Sequence, residues 1–215
     1  MLKIKIKASQ ITNLTDARYF AAKEVEWLSF NFTEGSENYI DPMRARAMFE
    51  WVEGPRIVGE FDGLTAAEIN FYTEGYQLSH IQVGPKTKAE DIFNLQASSI
   101  IKEIVVEDFT NPDILRGIMR PLATTVEAFQ LNFEHNELDA IRLKNADSLI
   151  DFEDLKDLCS EFKIILAIDF PIEMLDELLN LNPYGLSLHG GEEEKVGLKS
   201  FDELDEILDV LEYEL

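Results

Sequence analysis

Short apolar runs alternate along the chain with segments whose apolar positions recur every three or four residues. The run Leu2–Ala8 precedes a helical pattern over Leu14–Lys23, with Asn13 or Thr12 placed to cap it. Trp27–Phe32 precedes a helix over Pro42–Val52, with Asp41 as its cap and Pro42 at its first position. Arg56–Phe61 precedes Ala66–Glu74, with Gly75 at the helix end. His80–Val83 precedes Lys88–Leu95, and Ile100–Val106 precedes Pro112–Met119, capped by Asn111. Ala128–Phe133 precedes Phe152–Glu161, Ile164–Ile168 precedes Ile172–Leu179, and Leu186–Leu188 precedes Phe201–Leu211.

This is eight strands and eight helices in strict alternation. The strands are near-continuous apolar runs, as expected of parallel strands covered on both faces. Eight such units in a chain of 215 residues match the lower size range of a (β/α)8 TIM barrel. A doubly wound open sheet is the alternative, but it carries fewer strands, and no glycine-rich dinucleotide turn follows the first run. With no linker or low-complexity tract, residues 1–215 read as one domain.

Charge narrows the partners. Lys and Arg number 19 against 42 Asp and Glu, a formal net charge of −23. Such a chain lacks the basic surface that holds a phosphate backbone or an anionic lipid face, which argues against nucleic-acid and membrane partners. The single cysteine, Cys159, excludes an intramolecular disulfide framework and any multi-cysteine metal site. The start, MLKIKIKAS, alternates apolar and basic residues and lacks the apolar core of a signal peptide, so a cytoplasmic location is expected.

In a barrel of this type the chemistry sits at the C-terminal strand ends and the loops that follow. Those positions carry the motifs Lys5-Ile6-Lys7-Ala8-Ser9-Gln10-Ile11-Thr12, Ser36-Glu37-Asn38-Tyr39-Ile40, Val58-Gly59-Glu60-Phe61, His80-Ile81-Gln82-Val83-Gly84 and Tyr184-Gly185-Leu186-Ser187-Leu188-His189-Gly190-Gly191. In order and spacing they resemble the K-I-K-I-C-G-[IL]-T, S-P-R-Y-[VI], V-G-V-F, V-V-Q-L-H-G and Y-G-V-D-V-S-S-G motifs of phosphoribosylanthranilate isomerases. The resemblance implies a TIM barrel, an Amadori rearrangement in tryptophan biosynthesis and no cofactor. It also implies a ligand site at the mouth that includes Gln10, Asn38, Gln82, Asp169, His189, Gly190 and Gly191.

The departures lie at the reacting positions. The family's general base, a cysteine, falls on Ser9, and a serine hydroxyl is no base near neutrality unless another group activates it. The family's general acid, an aspartate, falls on Asn132, whose carboxamide has no useful acidic proton. Should Asn132 lie away from the mouth, Asp139 is the alternative acid. The arginine that holds the anthranilate carboxylate falls on Asn38, and the one on the fifth strand falls on Val105. The A-G-G-L phosphate loop reads Ala167-Ile168-Asp169-Phe170. At about 5 Å and an effective dielectric near 20, two like unit charges repel by about 3 kcal/mol, so Asp169 opposes a phosphate.

The expected function is therefore a divergent barrel with lost or altered isomerase activity, acting as a binding or interaction module for a small molecule at the mouth or a protein partner. One alternative is an active sugar-phosphate isomerase with relocated groups, Asp62 or Asp169 as acid and His189 as base. Another is a different enzyme on the same barrel. Glu60, Asp62 and Asp169 are also weighed as hard-cation ligands, although they come from nearly opposite strands.

Overall fold

Eight parallel strands hydrogen-bond in sequence order and close on themselves, with β1 beside β8 in the register Lys5 to Gly185 through Ser9 to His189. The structure is a computed structural model that describes residues 2–145, 148–190, 193–195 and 198–212. The first half runs β1 (Lys5–Ser9), α1 (Leu14–Ala22), β2 (Trp27–Asn31), α2 (Pro42–Phe49), β3 (Arg56–Phe61), α3 (Ala66–Tyr76), β4 (His80–Val83) and α4 (Ala89–Ile92). The second half runs β5 (Ser99–Val105), α5 (Pro112–Met119), β6 (Ala128–Asn132), α6 (Ala140–Lys144), α7 (Phe152–Glu161), β7 (Ile164–Ala167), α8 (Leu175–Leu179) and β8 (Gly185–His189). A short antiparallel pair, β9 (Glu193–Lys195) and β10 (Leu198–Lys199), precedes α9 (Asp202–Leu211).

Helix starts follow side-chain chemistry. Asn13 accepts from the Asp16 N–H, and Asp41 accepts from the Met43 and Arg44 N–H groups beside Pro42. Asn111 caps α5 in the same way. These groups satisfy N–H donors that have no partner inside the helix. The helix ends differ from expectation. Gly75 lies inside α3, and the left-handed residue that stops the helix is Gln77, at φ 55°. The Lys88–Leu95 segment contracts to one turn at α4. Helix α6 and the β9–β10 pair break the rule of one helix per strand. Strand β1 starts at Lys5, because Leu2 instead bridges Glu212 in antiparallel fashion.

Strand alternation sorts the barrel interior into layers. Trp27, Val58, Ile101, Ala128 and Ile165 form a buried cluster of their own, one residue from each of five strands, and plug the barrel. Two residues on, toward the C-terminal mouth, the same strands carry Ser29, Glu60, Glu103, Gln130 and Ala167. Two further on come Asn31, Asp62, Val105, Asn132 and Asp169. The remaining strands carry Lys7 then Ser9, Gln82 then Gly84, and Ser187 then His189 in the same phase. The outward positions, such as Ile6, Phe30, Ile81, Leu131, Leu166 and Leu186, join the main core against the helices. The middle layer is thus polar where barrels of this type usually stack branched aliphatics.

Candidate functional site at the barrel mouth

The Lys7 side chain is fully buried, so its ammonium needs partners within the protein. Its Nζ donates to Glu60 Oε1 at 2.7 Å and to Ser9 Oγ at 2.7 Å. Ser9 Oγ also lies 2.7 Å from Ser187 Oγ, and Ser9 is 3% exposed. The Ser9 hydroxyl is thereby held between a cation and another hydroxyl. Neither neighbour accepts its proton in the way a nucleophile or base requires.

Asn132 ends β6 at the mouth, as expected, and Asp139 instead caps α6 by accepting from the Arg142 N–H at 2.8 Å. Asn132 Nδ2 donates to Glu103 Oε1 at 2.7 Å, and its Oδ1 accepts from the His135 N–H at 3.1 Å. Gln82 Nε2 reaches Glu103 Oε2 at 3.4 Å. Burial raises the Glu103 carboxyl above the ordinary range. The Asn132 hydrogen bond opposes that shift, and the Glu60 charge adds to it.

His189 ends β8, and its Nε2 lies 2.5 Å from Glu134 Oε2. Burial pulls the imidazolium down, but the Glu134 hydrogen bond and charge outweigh it, and His189 titrates above its ordinary value. Asp169 is exposed beside them. Its carboxyl is raised first by desolvation and then by the Glu134 charge, with His189 opposing. A cavity of about 620 Å3 opens here, lined by Glu134, Asp169, Ser187, His189, Gly190 and the first turn of α9 with Asp202 and Glu203. Neither Ser9 nor Asn132 lines it, and Ser9 meets it only through Ser187.

Gly190 is pressed against α1: a Cβ there would lie 2.4 Å from Asp16 Oδ2. Gly191 lies outside the described residues. Asn38 Nδ2 donates to Gln10 Oε1 at 2.7 Å, so these two form a pair apart from the Glu103 cluster. Asp62 accepts from the Lys86 N–H at 2.8 Å and pairs with the Lys86 ammonium at 3.6 Å. Among the described residues no group of three or more His, Cys, Asp or Glu could hold a metal ion. Burial pushes the Cys159 thiol up to about 12, consistent with a small packing residue rather than a reactive thiolate. No described helix is long and apolar enough to cross a membrane.

Four residues of this network, Lys7, Glu103, Glu134 and Ser187, are not singled out by motif reading. The usable signal for Lys7, Glu103 and Ser187 is phase. Counting back two residues from each strand-end position lands on an inward side chain, and at Glu103 that count meets a carboxyl within the β5 run Ile100-Ile101-Lys102-Glu103-Ile104-Val105. Glu134 sits in a short 3-10 turn after β6 and carries no such signal.

No family model and no curated protein sequence matches the chain. Solved structures do. Phosphoribosylanthranilate isomerase from Thermus thermophilus superposes with a TM-score of 0.73 at 26% identity, covering 96% of this chain and 97% of that one. The Thermotoga maritima enzyme gives 0.76 at 19% identity over the same shares. A phosphoribosylanthranilate isomerase in complex with reduced 1-(o-carboxyphenylamino)-1-deoxyribulose 5-phosphate gives 0.69 at 19%, again covering 96% of this chain and 97% of that one. Along nearly its whole length, this chain carries the barrel of the phosphoribosylanthranilate isomerases.

Proposed function

We propose that the chain is a divergent barrel of this type that no longer isomerises phosphoribosylanthranilate and uses its mouth as a ligand-binding site. The observation that carries the reading is the state of the two reacting positions. Ser9 is held by Lys7 and Ser187, and Asn132 donates to Glu103, so neither offers a proton-transfer group of useful acidity. General acid and base groups each contribute typically ~10²–10⁴-fold, and removing both leaves little beyond positioning. The relocated-base alternative is weakened by His189, because an imidazole charged by Glu134 donates rather than accepts. The cavity lining supports the reading as well. Glu134, Asp169, Asp202 and Glu203 surround the space near Gly190, and a phosphate there would meet four carboxyl groups.

The test is a fluorescence assay of phosphoribosylanthranilate disappearance, run beside complementation of a tryptophan auxotroph lacking this isomerase. Growth rescue fails and purified protein gives no turnover above an inactive barrel control. Robust turnover by the wild-type chain overturns the reading and points to Asp62 or Asp169 as relocated acid.

A further inference from the structure

We propose that the mouth of this barrel binds a primary amine, its ammonium group seated among the carboxylates of Glu60 and Glu103 and the amide oxygen of Gln82. The inference deepens the ligand-binding reading above and rests on it.

The argument starts from hydrogen-bond accounting in the polar layer. Buried polar atoms are nearly always partnered, so those without a protein partner mark places where something else donates. Gln82 is 3% exposed, its Nε2 is turned to Glu103, and its Oε1 has no partner among the described residues. Gln130 Oε1 and Ser29 Oγ, in the same layer, are in the same condition. Glu103 keeps spare acceptor capacity beyond Asn132, since a carboxylate has about four lone-pair sites. Glu60 gives Oε1 to Lys7, and its side chain is 13% exposed, so it is reachable from the mouth. The layer is short of donors.

Charge then selects among donors. Within the layer Glu60 and Glu103 face the Lys7 ammonium, which already spends two of its three protons on Glu60 and Ser9, while the buried Lys102 ammonium gives its hydrogen bonds to the Gly84 and Thr87 carbonyls and acts on Glu103 only through its charge. A donor is still wanting at Gln82 Oε1, and three acceptors match the three N–H bonds of an ammonium. Burial first and the Glu60 charge after it raise the Glu103 carboxyl, so a seated cation competes with a proton there. An anion has no place there. Glu60, Glu103 and Gln82 do not line the cavity of about 620 Å3 that takes the body of the ligand, but His189, which does, lies within reach of the Glu60 and Lys7 charges. Ser187 lines the cavity and is joined to the layer through Ser9. Phe170 and Phe201 supply apolar walls, and the carboxylates of the rim favour a positively charged visitor over a negative one.

Three matched probes test this by isothermal titration on the full chain: 1-amino-1-deoxyribitol, ribitol and ribose 5-phosphate. The amine binds saturably, at least about tenfold tighter than ribitol, and ribose 5-phosphate does not bind. Glu103→Gln is nearly isosteric and keeps the fold by circular dichroism, and it weakens the amine by at least about tenfold, as loss of a charged hydrogen bond does. Amine affinity rises with pH in the wild type as the competing proton leaves Glu103, whose proton is held by burial and the Glu60 and Asp62 charges and opposed by Asn132, Lys7 and Lys102, and the rise disappears in Glu103→Gln. No saturable binding of the amine overturns the proposal. So does ribitol binding as tightly, which marks a neutral polyol site, or an unchanged affinity in Glu103→Gln. The isomerase assay reads separately: turnover by the wild type sinks the loss-of-activity reading, whereas a silent titration without turnover sinks only the amine.

Discussion

Asn132 Nδ2 lies 2.7 Å from Glu103 Oε1, so the side chain that ends β6 at the mouth donates to a buried carboxyl on the neighbouring strand. Asn132→Asp sets two carboxyl groups against each other with burial acting on both. Each then favours its neutral form and titrates above its unfolded value. The sign follows from linkage. A carboxyl raised on folding costs nothing below its unfolded pKa, near 4, and stability falls as pH rises from there to the folded pKa. Asn132→Asp should match wild-type urea stability at pH 4 and lose about 2 kcal/mol by pH 7.5, the scale of a hydrogen bond to a charged group. Adding Glu103→Gln should recover most of the loss, because an amide donor then faces the new carboxylate. An equal loss at both pH values would show that the pair is not electrostatically coupled.

The same contact shows why the fold was legible in the sequence and the site only half so. Alternating apolar runs and helical periods report burial, and burial of both strand faces is what a parallel barrel demands, so the architecture follows from local pattern. Ser9 could be placed at a strand end because a motif resembling the family's spans it, and Asn132 because Phe129-Gln130-Leu131-Asn132 resembles the family's L-L-L-D run. Glu103 could not be found that way. Its importance depends on which strand is its neighbour, and the pairing of Val105 with Asn132 across β5 and β6 is a long-range fact. The ends of α3 illustrate a second limit. Glycine is the usual left-handed stop, so Gly75 was the natural choice, yet packing of the helix carries it two residues further to Gln77.

That left-handed stop gives a stability prediction. Gln77 is exposed and sits at φ 55° and ψ 40°, a conformation that costs a side-chain-bearing residue about 1 kcal/mol and costs glycine almost nothing sterically. Gln77→Gly should therefore raise the melting temperature by about 2–4 °C, the shift that about 1 kcal/mol produces in a domain of this size. Gly75→Ala, inside the same helix and with open space around its Cβ, should also stabilise, by about 0.5–1 kcal/mol. A fall in melting temperature for Gln77→Gly would contradict the assigned cap.

At Gly190 the opposite holds. The alanine Cβ would lie 2.4 Å from Asp16 Oδ2, and Asp16 is 2% exposed with the same oxygen accepting from Asn13 Nδ2 at 2.7 Å. The carboxylate cannot retreat without breaking the start of α1. Gly190→Ala should cost about 1–3 kcal/mol in urea unfolding, the usual penalty of overpacking. Hydrogen exchange should quicken at the first turn of α1 rather than across β8. Protection lost evenly through the barrel would place the clash elsewhere.

His189 and Glu134 set the pH response of the mouth. Burial alone would keep the imidazole neutral at pH 7, and Glu134 at 2.5 Å reverses that. A histidine raised on folding contributes stability that is fully present below the unfolded pKa, near 6.5, and is lost as pH rises through the folded pKa. Wild type should thus exceed His189→Gln in stability at pH 5.5 and lose that margin by pH 9. The margin should be small, about 0.5–1 kcal/mol, because the imidazole side chain is 34% exposed and water screens the pair. An NMR titration of the His189 ring reads the cause directly. Its midpoint should lie above 6.5 in the wild type and fall below it in Glu134→Gln, where desolvation acts without the carboxylate. If the midpoint stays above 6.5 in Glu134→Gln, another acidic group of the mouth holds the proton. Asp169, which already contacts His189 through its charge, is then the residue to change next.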